Sequence, residues 1–223
     1  MKIITTCTLF SALSLLSAAE SEHSAALSEK AARVDELIDA HLAEEGLTPP
    51  PAADDETFVR RAYLDIVGRI PTNREAEAFF ASSEEGKRDA LVHELLRSPG
   101  FVSHSFNYWA DILRIKSVLA RRTSGEPFIH WMKETLTENR PYDEWVAELL
   151  AADGPGHARG NGATGLMLRD RNMPEDSMSN TVRVFLGTRL ECAQCHDHPF
   201  DKWTQHQYFE MLAFMGDINY IFR

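Results

Sequence analysis

Cysteine is scarce in this chain, with three in 223 residues. So low a content excludes the small scaffolds in which many disulfides replace a hydrophobic core. Basic residues are also few: 23 Lys and Arg stand against 34 Asp and Glu, and the formal net charge is −11. An acidic chain is poorly suited to phosphate backbones and anionic membrane surfaces. We therefore do not expect nucleic acid or such a membrane surface as a partner.

Long apolar runs are missing except near the N-terminus. There the uncharged residues 3–16 follow Lys2 and precede the small residues Ser17, Ala18 and Ala19. This order is typical of a secretory signal peptide over residues 1–19. Its removal leaves residues 20–223, which contain no apolar run long enough to span a membrane. We therefore expect a periplasmic or secreted protein.

Alternation of apolar and polar residues, which indicates a β-strand, is not found along the sequence. Apolar residues recur instead at spacings of three and four, which predicts amphipathic helices. The first predicted helix covers residues 24–45, and the last two flank residues 190–203. The sequence therefore predicts an all-α fold. We expect an irregular multi-helix bundle, one domain over residues 20–223, with a cofactor-type or metal-type loop between its last two helices.

Glycine is concentrated in residues 151–172, where five glycines fall between positions 154 and 165. Such a density predicts a surface loop rather than a helix. An alternative is that this loop folds over the cysteine-containing stretch and offers His157 to it. No Gly-Lys-Ser/Thr follows the glycines, so the segment is not a phosphate-binding loop.

Two of the three cysteines lie in the stretch Cys192-Ala193-Gln194-Cys195-His196. Cys-x-x-Cys-His is the attachment signature of c-type haem. Each thiol adds across one vinyl group of the porphyrin, and the histidine becomes the proximal iron ligand. Cys192, Cys195 and His196 are therefore the candidate haem-binding residues.

Three other interpretations of this stretch remain open. Cys192 and Cys195 could form a disulfide, which an exported location favours. The set Cys192, Cys195, His196 and His198 could hold zinc, although four ligands within seven residues leave little chain to surround the ion. The cysteines could also be free thiols without a ligand.

The surroundings of the motif carry further expectations. Trp203 and Phe200 should anchor the loop in the helical core, and His198 should turn toward Asp65 or Asp201. The candidates for the sixth iron ligand are His157, His198, Met173, Met178, Met211 and Met215. His198 is the least suited of these, because it lies only two residues from His196 and the sixth ligand must bind the opposite face of the iron.

Two signatures carry a family resemblance. One runs from Gly187 to Trp203 and includes Asp197-His198-Pro199 after the cysteine motif; the other is Arg60-Arg61-Ala62-Tyr63-Leu64-Asp65. Together they resemble the second planctomycete cytochrome-type domain, a secreted domain of unknown function. The resemblance implies a cytochrome-like domain and brings no known enzyme activity.

No Ser-His-Asp order, paired carboxylates or nucleophile elbow can be recognised in this sequence, which argues against an enzyme. An acid/base site built from Asp65, Asp197 and Asp201 with nearby histidines is the alternative. We expect instead an exported domain that binds c-type haem and serves electron transfer or an accessory redox role, with an unidentified redox or secreted protein as partner. The alternative is a structural or interaction module held by zinc or by a disulfide.

Overall fold

The computed structural model describes residues 27–119, 123–156, 160–170 and 173–215. The expected signal peptide and His157 lie outside these residues. The chain divides into two compact units, Met1–Ala53 and Asp54–Arg223. In the first unit residues 27–44 form helix α1, as its apolar spacing predicts. Leu27, Val34 and Ile38 on this helix are each about half exposed.

Helices also make up most of the second unit, and within the described residues it contains no β-strand. The predicted all-α fold is therefore confirmed. None of the described helices is long and apolar enough to cross a membrane. Short 3-10 turns occupy Gly162–Thr164, Glu191–Gln194 and Ala213–Met215. In chain order the helices are α2 Asp55–Val67, α3 Asn73–Ala81, α4 Lys87–Leu96, α5 Pro99–Ile112, α6 Glu126–Thr137, α7 Tyr142–Ala151, α8 Gly165–Leu168, α9 Pro174–Leu186 and α10 Gln205–Leu212.

The ends of α2 and α3 follow from local sequence. Asp54 Oδ1 accepts a hydrogen bond of 2.8 Å from the Thr57 N–H at the start of α2. Gly68, with φ of 74°, ends that helix in the left-handed conformation that glycine adopts without steric cost. Thr72 and Glu75 then form a capping box at the start of α3.

Three apolar clusters hold the helices together. The first joins α2, α3 and α4 through Val59, Ala62, Tyr63, Phe79, Leu91 and Leu95. The second joins the end of α5 to α6, α7 and α8 through Leu113, Phe128, Trp131, Met132, Trp145, Leu149, Ala163 and Leu166. The third, here called the α9–α10 cluster, consists of Met178, Val182, Leu190, Ala193 and Tyr208.

The glycine-rich segment differs from its prediction. Residues 162–166 are buried against α6, so a surface loop is the wrong description for this part. A Cβ added to Gly162 would lie 2.2 Å from the Pro127 carbonyl oxygen and 2.4 Å from Trp131 Cβ. A Cβ on Gly165 would lie 2.4 Å from Phe128 Cβ. Gly162 is needed because its backbone lies against that of α6, and Gly165 because it lies against the Phe128 side chain.

A buried ion pair fixes the end of the same segment. Arg169 donates hydrogen bonds to the Leu113 carbonyl oxygen and to Asp170, and Arg114 donates to the same carboxylate. Burial lowers the pKa of the Arg169 guanidinium, and the Asp170 charge opposes this shift. The network joins α8 to the end of α5, and no sequence pattern predicted it.

Candidate functional site

The cysteine motif lies on a loop between α9 and α10. Gly187, with φ of 65°, ends α9, and Thr204 begins α10 with a capping box to Gln207. The two helices pack together, since the α9–α10 cluster contains residues of both. The Ser179 and Tyr208 hydroxyl groups, one from each helix, are 3.3 Å apart.

The base of the loop is buried while its chemical groups are exposed. Leu190 and Ala193 have 1 % and 0 % of their surface exposed and belong to the α9–α10 cluster. Glu191–Gln194 forms a 3-10 turn around Ala193. Cys192 and Cys195 lie on the outer side of this turn, and both are exposed free thiols. A buried alanine between them therefore fixes the turn that carries the two sulfurs.

His196 is exposed, and one of its ring nitrogens has a defined role. Its Nδ1 lies 2.6 Å from the backbone carbonyl oxygen of Asp197. A carbonyl oxygen can only accept a hydrogen bond, so Nδ1 carries the proton and donates. In the neutral ring Nε2 then has a free lone pair, which is the state required of a metal-ligating histidine.

His198 has the opposite arrangement. Its Nδ1 accepts a 3.3 Å hydrogen bond from the Phe200 backbone N–H, so the proton of the neutral ring is on Nε2. The backbone N–H of His198 donates to the Trp203 carbonyl oxygen at 2.8 Å. Among the described residues the His198 ring makes no hydrogen bond to Asp65 or Asp201, so the expected contact is not found; its Nδ1 is occupied by the Phe200 N–H.

The two aromatic residues of the loop have different surroundings. Trp203 packs against the α9–α10 cluster, as predicted. Phe200 is 93 % exposed, so its predicted role as a core anchor is wrong. The bond between His198 and Trp203 closes the loop like a hairpin and leaves Phe200 at its tip, away from the core.

An open depression of ≈ 460 Å³ lies beside the cysteine turn. Cys192, His198 and Phe200 belong to its lining, and no described lining residue is a methionine. Of the proposed sixth ligands, Met173 is exposed, and Met178, Met211 and Met215 line a different, apolar cavity of ≈ 550 Å³. His157 lies outside the described residues.

Metal-type clusters are not found in the part of the chain that the structure describes: no three His, Cys, Asp or Glu side chains are disposed to hold an ion. Cys192, Cys195, His196 and His198 are thus neighbours in sequence without forming such a group. Their assignment to haem or to zinc stays a prediction.

A pair of loop contacts was not foreseen from the sequence. Asp197 Oδ1 accepts a hydrogen bond of 2.8 Å from the Gln205 backbone N–H, at the start of α10. The Gln205 side chain donates from Nε2 to the Gln194 carbonyl oxygen at 3.1 Å. The spacing of Thr204 and Gln207 marks this helix start in the sequence, but no spacing marks Asp197 as its partner.

Comparison with known proteins gives a family and little else. No curated protein and no solved structure has a significant match to this chain. The sequence pattern of one family matches residues 33–220, which include all of α2 to α10 and the cysteine loop. The chain therefore belongs to the PSCyt2 family, the planctomycete cytochrome-type domain described as a protein of unknown function (DUF1549).

Proposed function

We propose that this domain binds a c-type haem through thioether bonds to Cys192 and Cys195, with His196 as an axial iron ligand. The single observation that carries the proposal is one exposed turn with two free thiols, followed by a histidine whose Nδ1 donates to a carbonyl. These are the groups that haem attachment uses, in the chemical state that it needs. When bound, the haem supplies a reversible one-electron couple.

The protein's own part is to hold the three groups still and accessible. Ala193, fully buried between the cysteines, fixes the turn from below. The Asp197 backbone carbonyl accepts the hydrogen bond from His196 Nδ1–H and so leaves Nε2 available. The thiols are exposed, so a porphyrin can reach both without unfolding the α9–α10 cluster.

The ring states of the two histidines favour haem over zinc. A zinc site built from this loop needs His198 as its fourth ligand. Ligation by His198 would require either the loss of the Phe200 hydrogen bond or a proton shift from Nε2. Haem requires only His196, whose Nε2 has no hydrogen-bond partner among the described residues.

Exposure of the attachment turn supports a role in electron transfer or an accessory redox role. A cofactor at the surface exchanges electrons with a partner by contact, and a catalytic pocket around it is not required. Haem ligation to cysteine takes place outside the cytoplasm, which agrees with the signal peptide expected over residues 1–19. The partner is then a redox or secreted protein of the same compartment.

Intact mass spectrometry of the exported protein tests the attachment. We expect the mass of the chain from residue 20 plus one haem. The double variant Cys192→Ala/Cys195→Ala should lose this increment, and the control His198→Ala should keep it. A mass two hydrogens below that of the polypeptide would instead indicate a disulfide. An unmodified mass with one equivalent of zinc by elemental analysis would support the zinc alternative.

A further inference from the structure

Asp197 makes two contacts that have no place in haem attachment itself. Its backbone carbonyl oxygen accepts a hydrogen bond of 2.6 Å from His196 Nδ1. Its carboxylate oxygen Oδ1 accepts a hydrogen bond of 2.8 Å from the Gln205 backbone nitrogen. One residue thus holds the imidazole with its main chain and the start of α10 with its side chain.

Gln205 completes a bridge across the motif. While its backbone donates to Asp197, its side-chain amide donates to the Gln194 carbonyl oxygen at 3.1 Å. The two acceptors flank Cys195 and His196 on either side. Residues 194–197 are therefore attached at both ends to the first residue of α10.

The helix that provides these contacts is itself well fixed. The Thr204 side chain accepts from the Gln207 N–H, and Gln207 Oε1 accepts from the Thr204 N–H at 3.0 Å. Tyr208, one turn further, has 1 % of its surface exposed and packs in the α9–α10 cluster. An anchor at Gln205 is thus tied to the core of this part of the fold.

We infer that Asp197 is a positioning residue: its carboxylate, held by α10, orients the 197 carbonyl and thereby keeps the proton of His196 on Nδ1 and the Nε2 lone pair free. The peptide that carries the 197 carbonyl is also held through the His198 N–H, which donates to the Trp203 carbonyl oxygen at 2.8 Å, and the Asp197 carboxylate adds the link to α10. An exposed neutral imidazole does not by itself favour the Nδ1–H form, so the protein must supply the acceptor that holds it. The use of the free Nε2 as an iron ligand rests on the proposed function. The tautomer itself does not, since it exists without haem.

The test uses the full chain produced without haem and with reduced thiols, at an alkaline pH. Long-range proton–nitrogen NMR correlations report which ring nitrogen of His196 is protonated. We expect the Nδ1–H form in the wild type and its loss as the main form in Asp197→Ala. Asp197→Asn, which keeps the Oδ1 acceptor, should restore it. His198 should remain Nε2–H in all three proteins, which reports that the loop is still folded.

Asp201→Ala is the matched control, because Asp201 is an exposed carboxylate of the same loop and, among the described residues, bonds only to the Lys202 N–H. It should leave His196 unchanged. Retention of the Nδ1–H form in Asp197→Ala, or an equal loss in Asp201→Ala, would overturn the inference. Absence of haem from the exported protein would instead contradict the proposed function and leave this result intact.

Discussion

At the level of single residues, the two positions between the cysteines are not equivalent. Ala193 is fully buried in the α9–α10 cluster, whereas Gln194 is exposed. The turn can therefore hold its two thiols outward only while a small side chain is beneath them. The Cys-x-x-Cys-His motif allows any residue at positions 193 and 194, whereas the structure restricts position 193 to a small side chain.

Replacing Ala193 by Leu should destabilise the second unit by roughly 2 kcal/mol, because the added carbon atoms have no space between α9 and α10. Gln194→Leu is the matched control and should change stability by less than about 0.5 kcal/mol. Urea unfolding of both variants gives the comparison. Equal midpoints for the two variants would show that Ala193 does not support the turn.

Glu75 gives the structure a defined pH dependence. Arg69 forms two hydrogen bonds to its carboxylate at 2.8 and 2.7 Å, and with the Thr72 N–H these contacts lower the pKa of Glu75 from 4.5 to about 2. The ionised carboxylate therefore adds stability above pH 4.5. That contribution is lost as the pH falls toward 2.

Glu75→Gln should lower the free energy of unfolding at pH 7 by about 1 kcal/mol, a value discounted because the side chain is 31 % exposed. The difference from the wild type should vanish as the pH approaches 2. Glu77→Gln, which removes an exposed carboxylate of the same helix, should have little effect at either pH. Urea titrations at several pH values measure this, and a difference that persists in acid would contradict the assigned pair.

At the level of elements, the glycine-rich segment is where the fold depends most on tertiary contact. Gly162 and Gly165 allow residues 162–168 to lie directly on α6, and Leu166 fills the space above Phe128 and its neighbours. Side chains cannot be added here, since the nearest atoms include backbone that cannot move away.

Gly162→Ala should therefore destabilise the second unit by roughly 3 kcal/mol through the contact with the Pro127 carbonyl. Gly160→Ala is the control, because a Cβ there would meet nothing within 4 Å. Thermal unfolding separates the two. If both variants melt together with the wild type, the close packing of this segment on α6 is wrong.

The elements that the sequence predicted depend on contacts between residues close in sequence, whereas those that it missed depend on contacts between distant residues. Asp54, Thr72 and Glu75 cap helices through residues three positions away, so the starts of α2 and α3 could be read from spacing. The burial of Gly162 depends on α6, about thirty positions earlier, and the spacing of residues along the sequence does not indicate this contact. A high glycine content indicates a loop in sequence even where the reason is close packing.

The cysteine loop shows the same division. Its motif, its place between two helices and the anchoring of Trp203 followed from the sequence. The exposure of Phe200 and the hydrogen bonds of His198 did not, because the bond from His198 to the Trp203 carbonyl decides which side chains face the core. Asp197 was noted as part of a signature, and only its contact with Gln205 gives it a physical role.

At the level of the whole molecule, the three apolar clusters support different parts of the second unit. The clusters of α2–α4 and α5–α8 form helical scaffolding, and the α9–α10 cluster supports the loop with the two free cysteines.

The most direct measurement of the central claim is the absorption spectrum, in alkaline pyridine with dithionite, of the full chain expressed in a strain that matures c-type cytochromes. We predict the haemochrome bands of a c-type haem at one equivalent per chain, retained after acid–acetone extraction because the bonds to Cys192 and Cys195 are covalent. A haem-free spectrum from a strain that matures other c-type cytochromes would contradict the account. So would a haem that is fully extracted.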